Sequence, residues 1–365
     1  MDPTGRIDRI RRGMAERGID LVACSPGDDL RYLLGYTPTP DERPCYLLIS
    51  PGGAAFVVPE LNAAQAAAHV RLPTFTYSDA EGPGRALKAA REVVGGTAGR
   101  LAVTDTMRAD FVLTLLGAYP GAQLLLASEI LAPLRMRKSP EEVDALRRSS
   151  RHADQAMRDA WAACRVGATE REIAEAAAAS FKRSGSEEVL FTLVASGPNG
   201  AFPHHHVTDR RLEPGDAVTI DVGGRLGGYA SDLTRMAFVG PPTARYLEIH
   251  RTVEAAVEAA LAAIRPGVPL SEVDRAARAV IERAGFGPYF THRTGHGIGL
   301  SGHEPPSVSH SNPLPIDVGF VFTVEPGIYL PGEFGVRLED VVYVGPDGVH
   351  VLSQLPREVH VVPAG

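Results

Sequence analysis

Lysine is almost absent from this chain of 365 residues: Lys88, Lys138 and Lys182 are the only ones, and arginine supplies the rest of the basic charge. Lys+Arg total 37 against 44 for Asp+Glu, a formal net charge of −7. That balance gives no electrostatic case for nucleic acid. Cysteine is scarce too. Cys24, Cys45 and Cys164 are scattered in apolar contexts without paired spacing. This excludes a disulfide framework and a thiolate metal site, and reads as reduced, buried residues of a cytosolic protein. No apolar run is long enough to span a bilayer, and Met1–Arg6 lacks the apolar stretch of a signal peptide. The expected location is therefore cytoplasmic, with no membrane partner.

What the chain does have is ordinary core material, 44% hydrophobic and 22% charged, over a length that favours two domains. Up to about Pro133, short apolar runs alternate with helical patterns. Leu21–Cys24, Cys45–Ile49, Ala55–Val58 and Leu101–Thr104 read as strands, and Arg6–Arg17, Pro83–Val94 and Met107–Ala118 as helices. This predicts an α/β domain over residues 1–135 that carries no chemical constellation. A second domain, residues 136–365, opens with a capping box at Ser139-Pro-Glu-Glu142, and a second box at Thr169-Glu-Arg-Glu172 starts a helix that stops at Gly185.

The second domain is internally repeated. Arg165 to Gly185 aligns without a gap on Arg265 to Gly285, matching Gly167 with Gly267, Glu172 with Glu272 and Arg183 with Arg283. Two halves, each a helix pair followed by β segments, should therefore be related by a pseudo-two-fold.

The chemistry is concentrated in four carboxylates and one histidine. Asp221 and Asp232 flank a turn near Leu226, Gly227 and Gly228. A turn centred on Leu226-Gly227 sets the aspartates directly opposite, and one centred on Gly227-Gly228 makes them diagonal neighbours. In either register they share a face. Glu325 and Glu339 are related about Gly332, so an odd-length loop would set them face to face. His296 lies between Gly295 and Gly297, a setting that permits close backbone approach. Acids at hairpin ends are common, and either pair alone would mean little. Four converging carboxylates repel strongly unless divalent ions neutralise them. Oxygen-rich ligands with one imidazole and no thiolate suit Mn²⁺, Co²⁺ or Mg²⁺ better than a structural zinc.

The runs Thr219-Ile-Asp-Val-Gly-Gly224, Tyr229-Ala-Ser-Asp-Leu-Thr-Arg235, Thr291-His-Arg-Thr-Gly-His-Gly-Ile-Gly299, His303-Glu-Pro-Pro306, Val324-Glu-Pro-Gly-Ile-Tyr329 and Gly335-Val-Arg-Leu-Glu-Asp340 resemble the pita-bread metallopeptidases, above all the proline-specific branch. The resemblance is detailed from about Ser139 onward, and the first domain resembles that branch's N-terminal domain only in size and pattern. It implies an α/β N-terminal domain followed by an α+β pita-bread catalytic domain. It also implies two divalent ions, manganese first with cobalt or zinc as alternatives. His296 and Glu325 would hold one ion, Asp221 the other, and Asp232 and Glu339 would bridge. His303 would stand near the scissile carbonyl, His204 near the proline side, and Glu325 would also shuttle a proton.

Arg337, Tyr329 and His292 are the candidate substrate contacts. Arg337 has two readings, a partner for ligand carboxylates or a binder of the substrate carboxylate. His205 and His206 are read as neighbours without a role, and Asp41-Glu42-Arg43 as a polar surface loop, the alternative being that it reaches a site, its own or a partner subunit's, and helps bind the substrate's amine. The implied activity is hydrolysis of the bond before proline in short peptides by an Xaa-Pro dipeptidase, with aminopeptidase P as the alternative and a homodimer as the expected assembly. Creatinase-like hydrolases share the fold but not the ligands. A pita-bread binding module without catalysis would lack several of the five.

Overall fold

The computed structural model describes residues 3–364. The chain divides into two compact units, Met1–Arg135 and Met136–Gly365.

The first unit is built on a mixed six-stranded sheet ordered Thr74–Tyr77, Ala54–Pro59, Tyr46–Ile49, Leu21–Cys24, Arg100–Val103, Gln123–Leu126. Its central strands are buried throughout, as the apolar runs require. The two edge strands, Thr74–Tyr77 and Gln123–Leu126, are mostly solvent-facing and carry no such pattern. The helices Asp28–Leu34 and Glu60–His69 have no side-chain cap at their N-termini, so the sequence carries no start signal for them.

The second unit follows its capping signals closely. Ser139 caps the helix Pro140–Ala163 and Thr169 caps Glu170–Arg183, each with the reciprocal Glu142 or Glu172 contact. The second helix ends where Ser186 N–H reaches back to Phe181 O and Gly185 takes a φ of +84°, a left-handed stop that glycine adopts without strain.

The duplication is visible in the elements themselves. Glu170–Arg183 and Leu270–Arg283 occupy corresponding positions, preceded by Pro140–Ala163 and Ala244–Ala263. Each pair packs on its own sheet. The first sheet is ordered His360–Val362, Leu233–Val239, Ala217–Leu226, Glu188–Ser196. The second is ordered Glu304–Val308, Gly295–Gly297, Val321–Val324, Asp340–Gly345, Gly348–Val351. Ile173, Ala177, Phe181, Ile220 and Val222 centre one core, and Val273, Ala277, Ile281, Phe322 and Val342 centre the other. The two halves thus expose their acid-bearing strands toward a common seam.

No helix among the described residues is long and apolar enough to cross a membrane. Cys24, Cys45 and Cys164 are buried and unpaired.

Candidate active site

Strand register decides where the carboxylates stand. Leu226 pairs with Tyr229 across Gly227 and Gly228, both at positive φ, so the turn is centred on the two glycines. Asp221 then faces Thr234, and Asp232 lies two residues before it on the same face. The aspartates are therefore diagonal neighbours. In the other half, Gly327 pairs with Arg337 and Val324 with Asp340 in one continuous register, which puts Glu325 opposite Glu339 across a loop of three residues. His296 lies on the short strand Gly295–Gly297 between two partners. A Cβ on Gly295 would come within 1.9 Å of Thr323 O, and one on Gly297 within 2.2 Å of Pro305 O. Only glycine lets the flanking strands close on the histidine.

Asp221, Asp232, His296, Glu325 and Glu339 all line one cavity of about 590 Å³, together with His204, His303, His292, Tyr329 and Arg337. Every candidate residue of the site is thus brought to one place. Asp232, His296 and Glu339 are buried and offer ligand atoms within 4.8 Å of one another. His296 Nε2 stands 3.3 Å from Glu325 Oε1 and 3.7 Å from Asp232 Oδ2.

The electrostatics are those of a site built around cations. His296 Nδ1 donates to Gly297 O at 3.1 Å, which leaves a lone pair on Nε2. Burial, then the neighbouring His303, pull this imidazole down to about 3. A neutral imidazole lone pair aimed at ionised carboxylate oxygens is repulsive, and either a proton on the carboxyl or a cation between them relieves it. Burial pushes Asp232 well above the usual range, with Asp221 and Glu325 adding to it; burial does the same to Glu339, with Asp232 adding to it. Glu325 is pushed up to about 7, mainly by burial and against the pull of Arg337. Asp221 Oδ1 is buried with no hydrogen-bond partner among the described residues. Divalent ions would satisfy each of these groups, so the donor set fits them.

A chain of hydrogen bonds backs the carboxylates. His292 Nδ1 donates to Arg293 O, so its Nε2 accepts from the Tyr329 hydroxyl at 2.8 Å. The Tyr329 oxygen then accepts from Arg337 Nη1 at 3.0 Å. Arg337 Nη2 donates to Asp221 Oδ2 at 2.7 Å, Nη1 also reaches Pro203 O, and Nε reaches Thr234 Oγ1. Arg337 is 4% exposed. Of the two contacts expected of it, the structure shows the one to a carboxylate, that of Asp221. His292 and Tyr329 line the cavity beside it and are joined to that arginine by the hydrogen bonds above.

Three further residues act here without having been foreseen. Thr234 donates to Glu339 Oε2 at 2.6 Å. Thr323 donates to Glu325 Oε1 and accepts from His296 N. Each threonine stands two residues from a motif acid along a strand, and that same-face spacing was the available signal. The third is Glu170, which is fully buried. Its Oε1 accepts from Ser196 N, Ser196 Oγ and Asn199 Nδ2, and its Oε2 from His205 Nε2, Thr208 N and Thr208 Oγ1. These bonds tie down both ends of the segment that carries His204 into the cavity. His205, read from sequence as without a role, is thus an anchor, because its ring is the donor to Glu170 at 2.9 Å. Arg43 is bound by Asp41, Glu42 and Asp79, so its loop closes on charges of its own unit.

Residues 144–346 match the model of metallopeptidase family M24, and residues 6–137 match the creatinase/prolidase N-terminal domain. The chain belongs to metallopeptidase family M24. It is 40% identical over 364 residues to the Mycobacterium tuberculosis protein named "Probable dipeptidase PepE", covering 98% of this chain and 96% of that one. The crystal structure of a prolidase from Thermococcus sibiricus superposes with a TM-score of 0.94 at 32% identity, covering 99% of this chain and 100% of that one. An X-Pro aminopeptidase from Thermotoga maritima is also similar, with a TM-score of 0.83 at 29% identity and coverage of 96% and 100%. The pita-bread architecture with its creatinase/prolidase-type N-terminal domain is thereby established, and the chain is a peptidase of a family that uses divalent metal ions.

Proposed function

We propose that this M24 peptidase is an Xaa-Pro dipeptidase, hydrolysing the bond before proline in short peptides with two divalent ions, manganese first. The reading is carried by the convergence of Asp221, Asp232, His296, Glu325 and Glu339 on one cavity. It draws further support from the M. tuberculosis dipeptidase and the T. sibiricus prolidase, both similar over nearly the whole chain. His296 and Glu325 would hold one ion, Asp221 the other, and Asp232 and Glu339 would bridge them.

The ions, when bound, supply a Lewis acid that activates water and polarises the scissile carbonyl. The side chains do the rest. Glu325 sits at the cavity wall and is the group to carry a proton to the departing nitrogen, which in a bond to proline is tertiary and leaves poorly unless protonated. His303, its ring stacked 3.8 Å from that of His296, would donate to the developing oxyanion. His204, on the segment anchored by Glu170, would face the proline side.

A cavity of about 590 Å³ lies in the range that holds drug-sized ligands, so a peptide longer than two residues would also fit. That observation supports the second reading, an Xaa-Pro aminopeptidase. A panel of Xaa-Pro, Xaa-Pro-amide and Xaa-Pro-Xaa with added Mn²⁺ separates the two. We expect kcat/KM for Xaa-Pro to be at least about tenfold above the others, since a charged hydrogen bond to the free carboxylate is worth about 1.5–3 kcal/mol. Equal or faster turnover of the tripeptide would replace the dipeptidase by the aminopeptidase.

A further inference from the structure

A dipeptidase must hold the free carboxylate of its substrate, and Arg337 is poorly placed to do so. Its guanidinium is enclosed and directs donors at Asp221, Tyr329, Pro203 O and Thr234. One other arginine, Arg293, and no lysine is found among the residues lining the cavity. Arg293 is exposed, and the one hydrogen bond its guanidinium makes among the described residues is Nη1 to Ser307 Oγ at 3.4 Å. Most of its donors therefore remain available to a ligand.

Its place relative to the chemistry follows from the sheet. Ser307 is the register partner of His296, and partners on antiparallel strands share a face with Cβ atoms about 5 Å apart. A guanidinium at Ser307 Oγ is therefore a near neighbour of the His296 imidazole and of His303 stacked upon it. The charge of Arg293 is felt there, adding to burial in lowering both histidines. In a dipeptide cleaved at its only peptide bond, the carboxylate lies one residue from the scissile carbonyl. Each further residue carries it up to about 3.6 Å away. A cation beside His296 and His303 stands on the side of the cavity where the first of these carboxylates would lie.

We propose that Arg293 is the subsite for the substrate's free α-carboxylate and so sets the preference for dipeptides. This rests on the dipeptidase reading above. The planar guanidinium would take both carboxylate oxygens.

The test compares the unmutated enzyme with Arg293→Met, which keeps length and removes charge, and with Arg293→Lys. Ala-Pro and Ala-Pro-amide are the substrates, and inhibition by proline and by prolinamide reports binding without turnover. In Arg293→Met, kcat/KM for Ala-Pro should fall about ten- to hundred-fold, mainly through KM. Turnover of Ala-Pro-amide and metal content should stay near the unmutated level, and proline should lose its advantage over prolinamide as an inhibitor. Arg293→Lys should recover part of the preference. If Arg293→Met keeps the unmutated preference, or loses both substrates equally, the subsite assignment is overturned while the dipeptidase reading stands. An unmutated enzyme that does not prefer Ala-Pro over its amide removes the dipeptidase reading and the subsite with it.

Discussion

The guanidinium of Arg337 donates to the Asp221 carboxylate at 2.7 Å, inside a wall where both side chains are largely withdrawn from solvent. Asp221 is therefore oriented from behind by a fixed planar cation, itself held by Tyr329 and Thr234. An ammonium cannot reproduce contacts with Asp221, Tyr329, Thr234 and Pro203 O together. Arg337→Lys should lower kcat/KM for Xaa-Pro and Xaa-Pro-amide by a similar factor, about ten- to hundred-fold. Bound metal should fall with it. A variant that loses only the preference for the free carboxylate would return Arg337 to the role of substrate binder.

Asp232 stands at the centre of the cluster, diagonal to Asp221 and within ligand range of His296 and Glu339. Asp232→Asn keeps the shape and removes the charge. It should abolish hydrolysis and lower bound metal, as chelation should in the unmutated enzyme, with Mn²⁺ or Co²⁺ restoring the latter. Elemental analysis alongside the assay checks both. Full activity in chelator-treated protein would end the two-metal reading.

His303 is exposed yet stacked on His296. His303→Ala should leave metal content near normal while kcat falls by about 10²–10⁴, the usual scale for a lost acid–base or oxyanion group. Loss of metal with unchanged kcat per bound ion would show that the ring merely buttresses His296.

How much of this was legible in the sequence depended on how local each cause is. The diglycine turn at Gly227-Gly228, the odd loop about Gly332 and the capping boxes at Ser139 and Thr169 act within a few residues, and their consequences could be read off the string. Even there, two turn positions remained open for the first hairpin, because glycine tolerates both. The edge strands Thr74–Tyr77 and Gln123–Leu126 face solvent and show no burial pattern. Arg337 illustrates the harder case. Its motif position announced an arginine near the ligands, but which acceptors consume its donors depends on Asp221, 116 residues earlier, and on Thr234, 103 residues earlier. Glu170 was invisible for the same reason. A glutamate in the first turn of a helix ordinarily reads as a dipole-favoured surface residue, and its partners lie 26 to 38 residues downstream.

That buried glutamate gives the last prediction. Burial alone would raise the Glu170 carboxyl, but donors from Thr208, Asn199, Ser196 and His205 win and hold it down to about 2, from an ordinary 4.5. Since the folded value is the lower one, its contribution is fully present above about pH 4.5 and drains away as pH falls toward about 2. The size of the shift corresponds to about 3 kcal/mol. Glu170→Gln replaces one acceptor oxygen by an amide that faces donors, and should destabilise the second unit by about that amount at pH 7. Trp161, the only tryptophan in the chain, packs against the core of the half that contains Glu170, so its fluorescence reports the relevant unfolding. Urea titrations of metal-free protein should show the gap between unmutated chain and variant narrowing steadily from pH 5 downward. A gap that stays constant or widens over that range would mean that Glu170 is not the ionised hub of the segment carrying His204.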